Sequence, residues 1–358
     1  MKRLTVLFVL FTTISLAQKA IPFVDFNNFF RTFESGTFRQ LEFQRIEQYK
    51  AGDEAIAYYD NRGNLRIYNG GQPVDVANLN AEYQVSDHLI TWKIGETLNL
   101  WDDGKMQTLT YRCGQYAVKD SIVVYQDIRY NTINVYWKDQ IYPIKTSTGD
   151  LVLPAAIGEN IVAYKDNGDF YKIFWNGKPY EIDVWVGNID FSCGTDILCY
   201  NDPTTRTFTV FENGELIDVE QFFMKNFKAG RGFVVYEDQN GNLIKYQNGK
   251  RTTLTNFGAS KWEVKDDVVI WFENSFLNME CNGQTWRVCN YVPEDYELKN
   301  NVLAFRNISQ GVDVSIDGKT HTITNQMDAA YEILGSSVLV KLFNNSFKVF
   351  WDGRIFEP

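Results

Sequence analysis

The feature that most constrains this chain is a short element repeated along nearly all of it. Asn69-Gly70, Asp103-Gly104, Asn176-Gly177, Asn213-Gly214, Asn248-Gly249, Asn282-Gly283, Asp317-Gly318 and Asp352-Gly353 each end a short aromatic or β-branched run. Asp139-Gln140 fills the one gap in the series, and Ser35-Gly36 reads as a worn earlier copy. Between Gly36 and Gly353 the interval averages about 35 residues. A tight two-residue hairpin needs positive φ at both central positions, and Asn, Asp and Gly reach that region at least cost. One such pair means little. A series at near-fixed spacing means tandem hairpins.

Two more landmarks recur with the turns. Runs such as Ile122-Val123-Val124-Tyr125, Ile197-Leu198-Cys199-Tyr200 and Val268-Val269-Ile270-Trp271 are apolar at consecutive positions and predict strands covered on both faces. Just before them, Tyr83-Gln84-Val85-Ser86-Asp87 and Trp262-Glu263-Val264-Lys265-Asp266 alternate apolar with polar and then turn, as a short edge strand does. Each repeat therefore reads as four antiparallel strands. Such a unit cannot bury two apolar faces alone, but stacked copies can, and radial stacking leaves only short edges. The expectation is an all-β chain: a β-propeller of about nine or ten four-stranded blades, with two smaller propellers in tandem as the alternative. Since the chain stops soon after Asp352-Gly353, N-terminal strands are expected to complete the last blade. A short helix is tolerated only between Asn27 and Gln48.

Over residues 50–358 the repeat resembles the exported bacterial β-propellers of the WD40-like class that includes the TolB propeller. The shared feature is blade layout. Gly52-Asp53, Lys119-Asp120 and Thr195-Asp196 stand where those repeats carry Ser-Pro-Asp-Gly, the Gly-His pair of WD repeats is missing, and Trp-Asp does not recur from repeat to repeat. The resemblance implies a rigid protein-interaction surface.

Domain organisation follows from the same signals. Met1-Lys2-Arg3, an apolar run from Leu4 to Leu16, and Ser15-Leu16-Ala17 make residues 1–17 an expected signal peptide, too short to span a bilayer. Residues 18–44 form an N-terminal segment with a partial blade, and residues 45–358 hold the repeats. The destination is then the periplasm, the cell surface or the extracellular space. Loss of Lys2 and Arg3 would take the net charge from −10 to −12. That acidity argues against a sequence-independent grip on nucleic acid. Cys193–Cys199 and Cys281–Cys289 are close enough in sequence to bridge, but the cysteines read better as small buried side chains.

Chemistry is sparse. No phosphate loop, nucleophile elbow, zinc motif or EF-hand loop is present, and no cofactor is expected. The two histidines, His88 and His321, read as edge side chains. Asp53, Asp87, Asp120, Glu159, Asp196 and Asp266 recur at the first turns, where turn chemistry explains them best. The aromatics beside the Asx-Gly turns, Trp101, Trp137, Trp175, Tyr246 and Trp351 (with Phe211), are the candidate binding-surface residues, with packing between blades as the plainer role. The expected function is a non-catalytic module binding an envelope protein or glycan. Its rival is a carbohydrate-active enzyme using two channel-facing carboxylates.

Overall fold

The structure is a computed structural model that describes residues 20–46, 48–78, 81–146, 151–184, 187–255, 258–343 and 346–358. The expected signal segment lies outside them. All the regular elements among the described residues are strands, including the stretch from Asn27 to Gln48. They group into ten antiparallel sheets in chain order, which we number as blades. Blade 1 spans Ile21–Glu42, blade 2 Tyr49–Asn78, blade 3 Glu82–Thr110, blade 4 Cys113–Thr146 and blade 5 Ala156–Glu181. Blade 6 spans Phe191–Glu220, blade 7 Phe227–Thr255, blade 8 Lys261–Cys289, blade 9 Tyr296–Thr324 and blade 10 Ala330–Phe356. Blades 2 to 10 have four strands in sequence order. Among the described residues blade 1 has three, matching the second to fourth of the others.

The doubly apolar strands behave as their composition requires. Each is the second strand of its blade, and its side chains alternate between two neighbours. In blade 7, Val234 and Tyr236 enter a cluster with Cys199 and Val210 of blade 6, while Phe233 and Val235 enter one with Val269 and Trp271 of blade 8. Ten such clusters serve the ten interfaces, including blade 1 with blade 2 and blade 10 with blade 1. The ring is therefore single and closed, and blades 4 and 5 share a core across the long Thr146–Ala156 connection.

Closure differs from expectation. Blade 10 supplies all four of its own strands, so no N-terminal strand completes it. Instead Ile21, Phe23 and Phe33 of blade 1 pack directly on Leu339, Phe347 and Val349 of blade 10. The free thiols of all five cysteines dispose of both candidate bridges; Cys113, Cys199 and Cys281 are buried.

The Asx-Gly turns join third to fourth strands. Asn176-Gly177, Asn248-Gly249 and Asp317-Gly318 have positive φ at both positions, as the hairpin demands. The turn filling the gap sits one residue earlier than read, at Lys138-Asp139, where φ is 45° and 61° without any glycine. A second regularity was not foreseen. In eight blades the pairing of third with fourth strand slips by one residue near the start of the third, as between Leu98 and Asn99 or Leu243 and Ile244. Such a bulge adds twist to the outer strand and shields the sheet edge.

Strand order sorts the connections onto two faces. First-to-second and third-to-fourth turns lie on one face, here the turn face. Second-to-third hairpins and the blade-to-blade connections lie on the other, the loop face.

Candidate functional site

On the turn face the first turns crowd the axis. Most hand a backbone hydrogen bond to the next blade, among them Glu54 N–H to the Asp87 carbonyl (3.0 Å), Glu159 to Gly194 (3.1 Å), Thr195 to Gly230 (3.1 Å) and Arg231 to Asp266 (2.7 Å). Glycine is required where blades approach this closely. A Cβ on Gly52 or Gly194 would collide with the carbonyl oxygen of Ser86 or Gly230.

Side chains complete the closure by crossing the axis. Lys299 of blade 9 lies 3.4 Å from Asp53 of blade 2 and 2.9 Å from Asp87 of blade 3. Asn300 donates to Asp53 (3.0 Å) and accepts from Arg231 of blade 7 (3.0 Å). Arg231 also holds Asp267 (2.8 Å), and Lys265 of blade 8 lies 3.9 Å from Glu159 of blade 5. Groups from blades three and four places apart therefore meet, so this end of the axis is plugged by paired charges. Five of the six candidate carboxylates are brought together here: Asp53, Asp87, Asp120, Glu159 and Asp266. Asp196 is not among them; it accepts from Trp175 Nε1 (2.7 Å) and Asn160 (2.7 Å).

Cations are fewer than carboxylates, and the titration of the plug reflects that. Burial, then the charges of Asp87 and Glu159, push Asp120 up to about 8, and it shares a hydrogen bond with Asp87. Burial also works against an ionised Asp87, but the Lys299 ammonium outweighs it and holds this carboxyl below the usual range. Burial and Asp87 raise Asp53 against the pull of Lys299. Lys299 itself loses hydration by burial, yet Asp53 and Asp87 raise it to about 12. The rival enzymatic expectation asks for an aromatic-walled pocket around two carboxylates. These carboxylates are instead tied to Lys299, Lys265, the Asn300 side chain and the backbone N–H groups of Asp120 and Asn300. Among the described residues, no group of three His, Cys, Asp or Glu is placed to hold a metal ion. His88 pairs with Glu54 (2.9 Å), and His321 rests on the Phe350 ring.

The five candidate aromatics stand one per blade at the turn-face ends of third strands, and they are not brought together. Trp101 and Tyr246 are buried, Tyr246 pointing its hydroxyl at Glu212 of blade 6. Trp137, Trp175 and Trp351 are half-buried: Trp175 packs on Tyr180 and Phe211, and Trp351 on Phe33 and Phe356. Trp351 and His321 also line a groove of about 660 Å³ between blades 9 and 10.

Most of the exposed apolar side chains are elsewhere. Phe26, Tyr130, Phe170, Ile308 and Phe343 project from second-to-third hairpins, and Phe43, Tyr111, Val152, Phe222, Phe223, Val292 and Met327 from blade-to-blade connections. These twelve lie on the loop face, whereas Val74, Met106, Ile141, Leu216 and Ile355, also exposed, stand at the starts of fourth strands beside the turns of the opposite face. Among the described residues, no large exposed apolar side chain sits in a turn of the opposite face. Five loop-face hairpins, those of Phe26, Phe170 and Ile308 among them, are locked by a recurrent side-chain turn. Asp25, Asp60, Asp166 and Asp238 each accept the N–H groups two and four residues on, and Asn307 does the same. Turn chemistry for a repeated Asp thus operates on this face, while the first-turn carboxylates link blades. The spacing Asp60-x-x-Gly63, Asp166-x-Gly168 and Asp238-x-x-Gly241 was the local signal for it.

The model of the 10-bladed beta propeller domain matches residues 14–356. The chain belongs to this family. Solved structures similar to this 10-bladed propeller include a eukaryotic initiation factor, at 10% identity and TM-score 0.47, covering 85% of this chain and 96% of that one. The WD40 β-propeller domain of Doa1 is similar at 14% identity and TM-score 0.27, covering 66% and 91%. A computationally designed protein, Ika8, is similar at 14% and 0.32, covering 85% and 92%. At these values the likenesses carry nothing about function. No curated protein matches the chain.

Proposed function

We propose that this propeller is a non-catalytic binding module, exported from the cytoplasm, that receives a protein partner on its loop face. The observation that carries the proposal is the bias of exposed apolar side chains, the large aromatics above all, toward one face. A dozen aromatic and aliphatic tips stand on one face, and side-chain turns already hold the hairpins of Phe26, Phe170 and Ile308 in place. Large exposed apolar groups gathered on one surface are what an interaction site requires, and rigid presentation lowers the entropic cost of binding. The −10 net charge keeps nucleic acid an unfavourable partner. No helix among the described residues is long and apolar enough to cross a membrane.

The test compares partner recovery from the native cell's envelope and extracellular fractions. A Tyr130→Ser/Phe170→Ser/Phe343→Ser variant is expected to lose a partner that wild type and a turn-face variant, Lys105→Ser, both retain. Retention by all three would refute the loop-face assignment. Hydrolysis of a polysaccharide, abolished by Asp120→Asn, would replace the binding module with the carboxylate enzyme. Recovery of an intact Met1 in a cytoplasmic fraction would remove export from the proposal.

A further inference from the structure

The loop face is not uniform. Where blades 6, 7 and 8 meet, it opens into a groove of about 860 Å³. Phe191, Phe223, Phe227 and Trp262 supply its apolar wall, and Lys225, Lys228 and Lys261 its charge. Among the described residues none of these three lysines has a carboxylate within ion-pair distance; Lys261 stands over the ring of Tyr296 at 4.8 Å. Of the two carboxylates in the lining, Glu237 is committed: Trp262 Nε1 donates to one oxygen (2.6 Å) and Asn226 Nδ2 to the other (2.7 Å). Asp190 remains. In a chain of net charge −10, this groove is a place where the sign of the surface reverses.

The wall is built in advance. Asn201 of blade 6 clamps the Met224 backbone from both sides, accepting its N–H (2.9 Å) and donating to its carbonyl (2.8 Å). Met224 is thereby seated in the blade 6–7 core, and Phe222 and Phe223 beside it are turned outward. The same bonds decide what the groove can hold. A neutral sugar is held by many hydrogen bonds to its hydroxyls, and the amides that would make them are largely committed. Here Asn201 is spent on Met224, Asn226 on Glu237, and Ser192 Oγ on the Ala229 N–H (2.9 Å). Beside Asn188 and Asp190 at one end, what remains is apolar surface flanked by ammonium groups.

We infer that this groove docks a short extended peptide of a partner protein, one carrying an apolar side chain flanked by carboxylates. The inference rests on the loop face being a binding surface and names the chemistry of the segment bound there. Phe223 and Trp262 would receive the apolar side chain. Lys225, Lys228 and Lys261 would attract the carboxylates, so that binding weakens as salt rises.

The experiment selects binders from a random decapeptide library on the immobilised full chain, without knowledge of the partner. Enrichment of Asp and Glu beside Phe, Leu or Ile is expected. A selected peptide, labelled and titrated, should bind at least tenfold more weakly to Lys225→Glu/Lys228→Glu/Lys261→Glu and to Phe223→Ser. Both variants must melt like wild type; if the triple variant does not, single Lys225→Glu and Lys228→Glu changes replace it. Selection without acidic bias, or binding indifferent to lysine reversal, would overturn the proposal. So would retention of uronic-acid oligosaccharides independent of Phe223, which would give the groove to a glycan. If partner capture fails in the Tyr130/Phe170/Phe343 variant but survives lysine reversal, the loop-face module stands and the groove proposal falls.

Discussion

Asp120 is the residue whose environment departs furthest from its sequence context. In the strand-turn where it lies, between Lys119 and Ser121, nothing distinguishes it from Asp53 or Asp87. Only the axis does so, by burying it beside Asp87 and Glu159. The folded carboxyl titrates at about 8 against 3.8 for an ordinary Asp side chain. Between those values the folded state holds a proton that the unfolded state has lost, so this group's contribution to stability falls as pH rises through that window. Asp120→Asn cannot titrate. Urea unfolding should therefore show the variant gaining on wild type by at least about 1 kcal/mol from pH 5 to pH 9. A constant difference across that range would mean that Asp120 ionises normally. Asp87, held low by Lys299, works in the opposite sense: its contribution is lost only as pH falls through its lowered value.

At the scale of the element, the four-stranded blade was legible because its signals are local. Positive-φ turns, alternation in the first strand and doubly apolar second strands each involve residues within a few positions of one another. The bulge at the start of the third strand was not legible, since it depends on how the outer strand twists over the sheet edge. Nor was the need for glycine at the inner turns, which arises from the next blade's backbone rather than from local φ. Gly194→Ala tests that distinction. Its Cβ would strike the Gly230 carbonyl, and a destabilisation of about 2–4 kcal/mol is expected from chemical denaturation. Gly249→Ala, with φ of +72° but open space around its Cβ, should cost only about 1 kcal/mol. Equal costs would show that the inner turn can give way.

For the whole molecule, stability depends on ring closure without a shared strand. Ile21, Phe23 and Phe33 are each 1% exposed, and much of that burial comes from blade 10. Removing residues 325–358 deletes that blade. It leaves one apolar face bare on blade 1 and another on blade 9, where Val312, Val314 and Ile323 would lose their cover. The truncated chain should aggregate or lose its cooperative melting transition, as read by size-exclusion chromatography and circular dichroism. A monomer with an unchanged transition would mean that the blades are stable as an open stack.

The amino-acid sequence by itself determined the strands, the turn chemistry and the repeat, and from these the propeller, because hydrogen-bonded hairpins and two-sided burial are encoded within each repeat of about 35 residues. Tertiary structure alone decided the rest. Lys299 meets Asp53, and Lys265 meets Glu159, only because ten blades close around one axis. The aromatics beside the Asx-Gly turns could equally have faced solvent or a neighbour, and blade geometry placed Trp101 and Tyr246 inside. Phe223 and Trp262 stand about 40 residues apart in the chain and line one groove because consecutive blade-to-blade connections return to the same face. That proximity is a property of strand order in space, and no local pattern carries it.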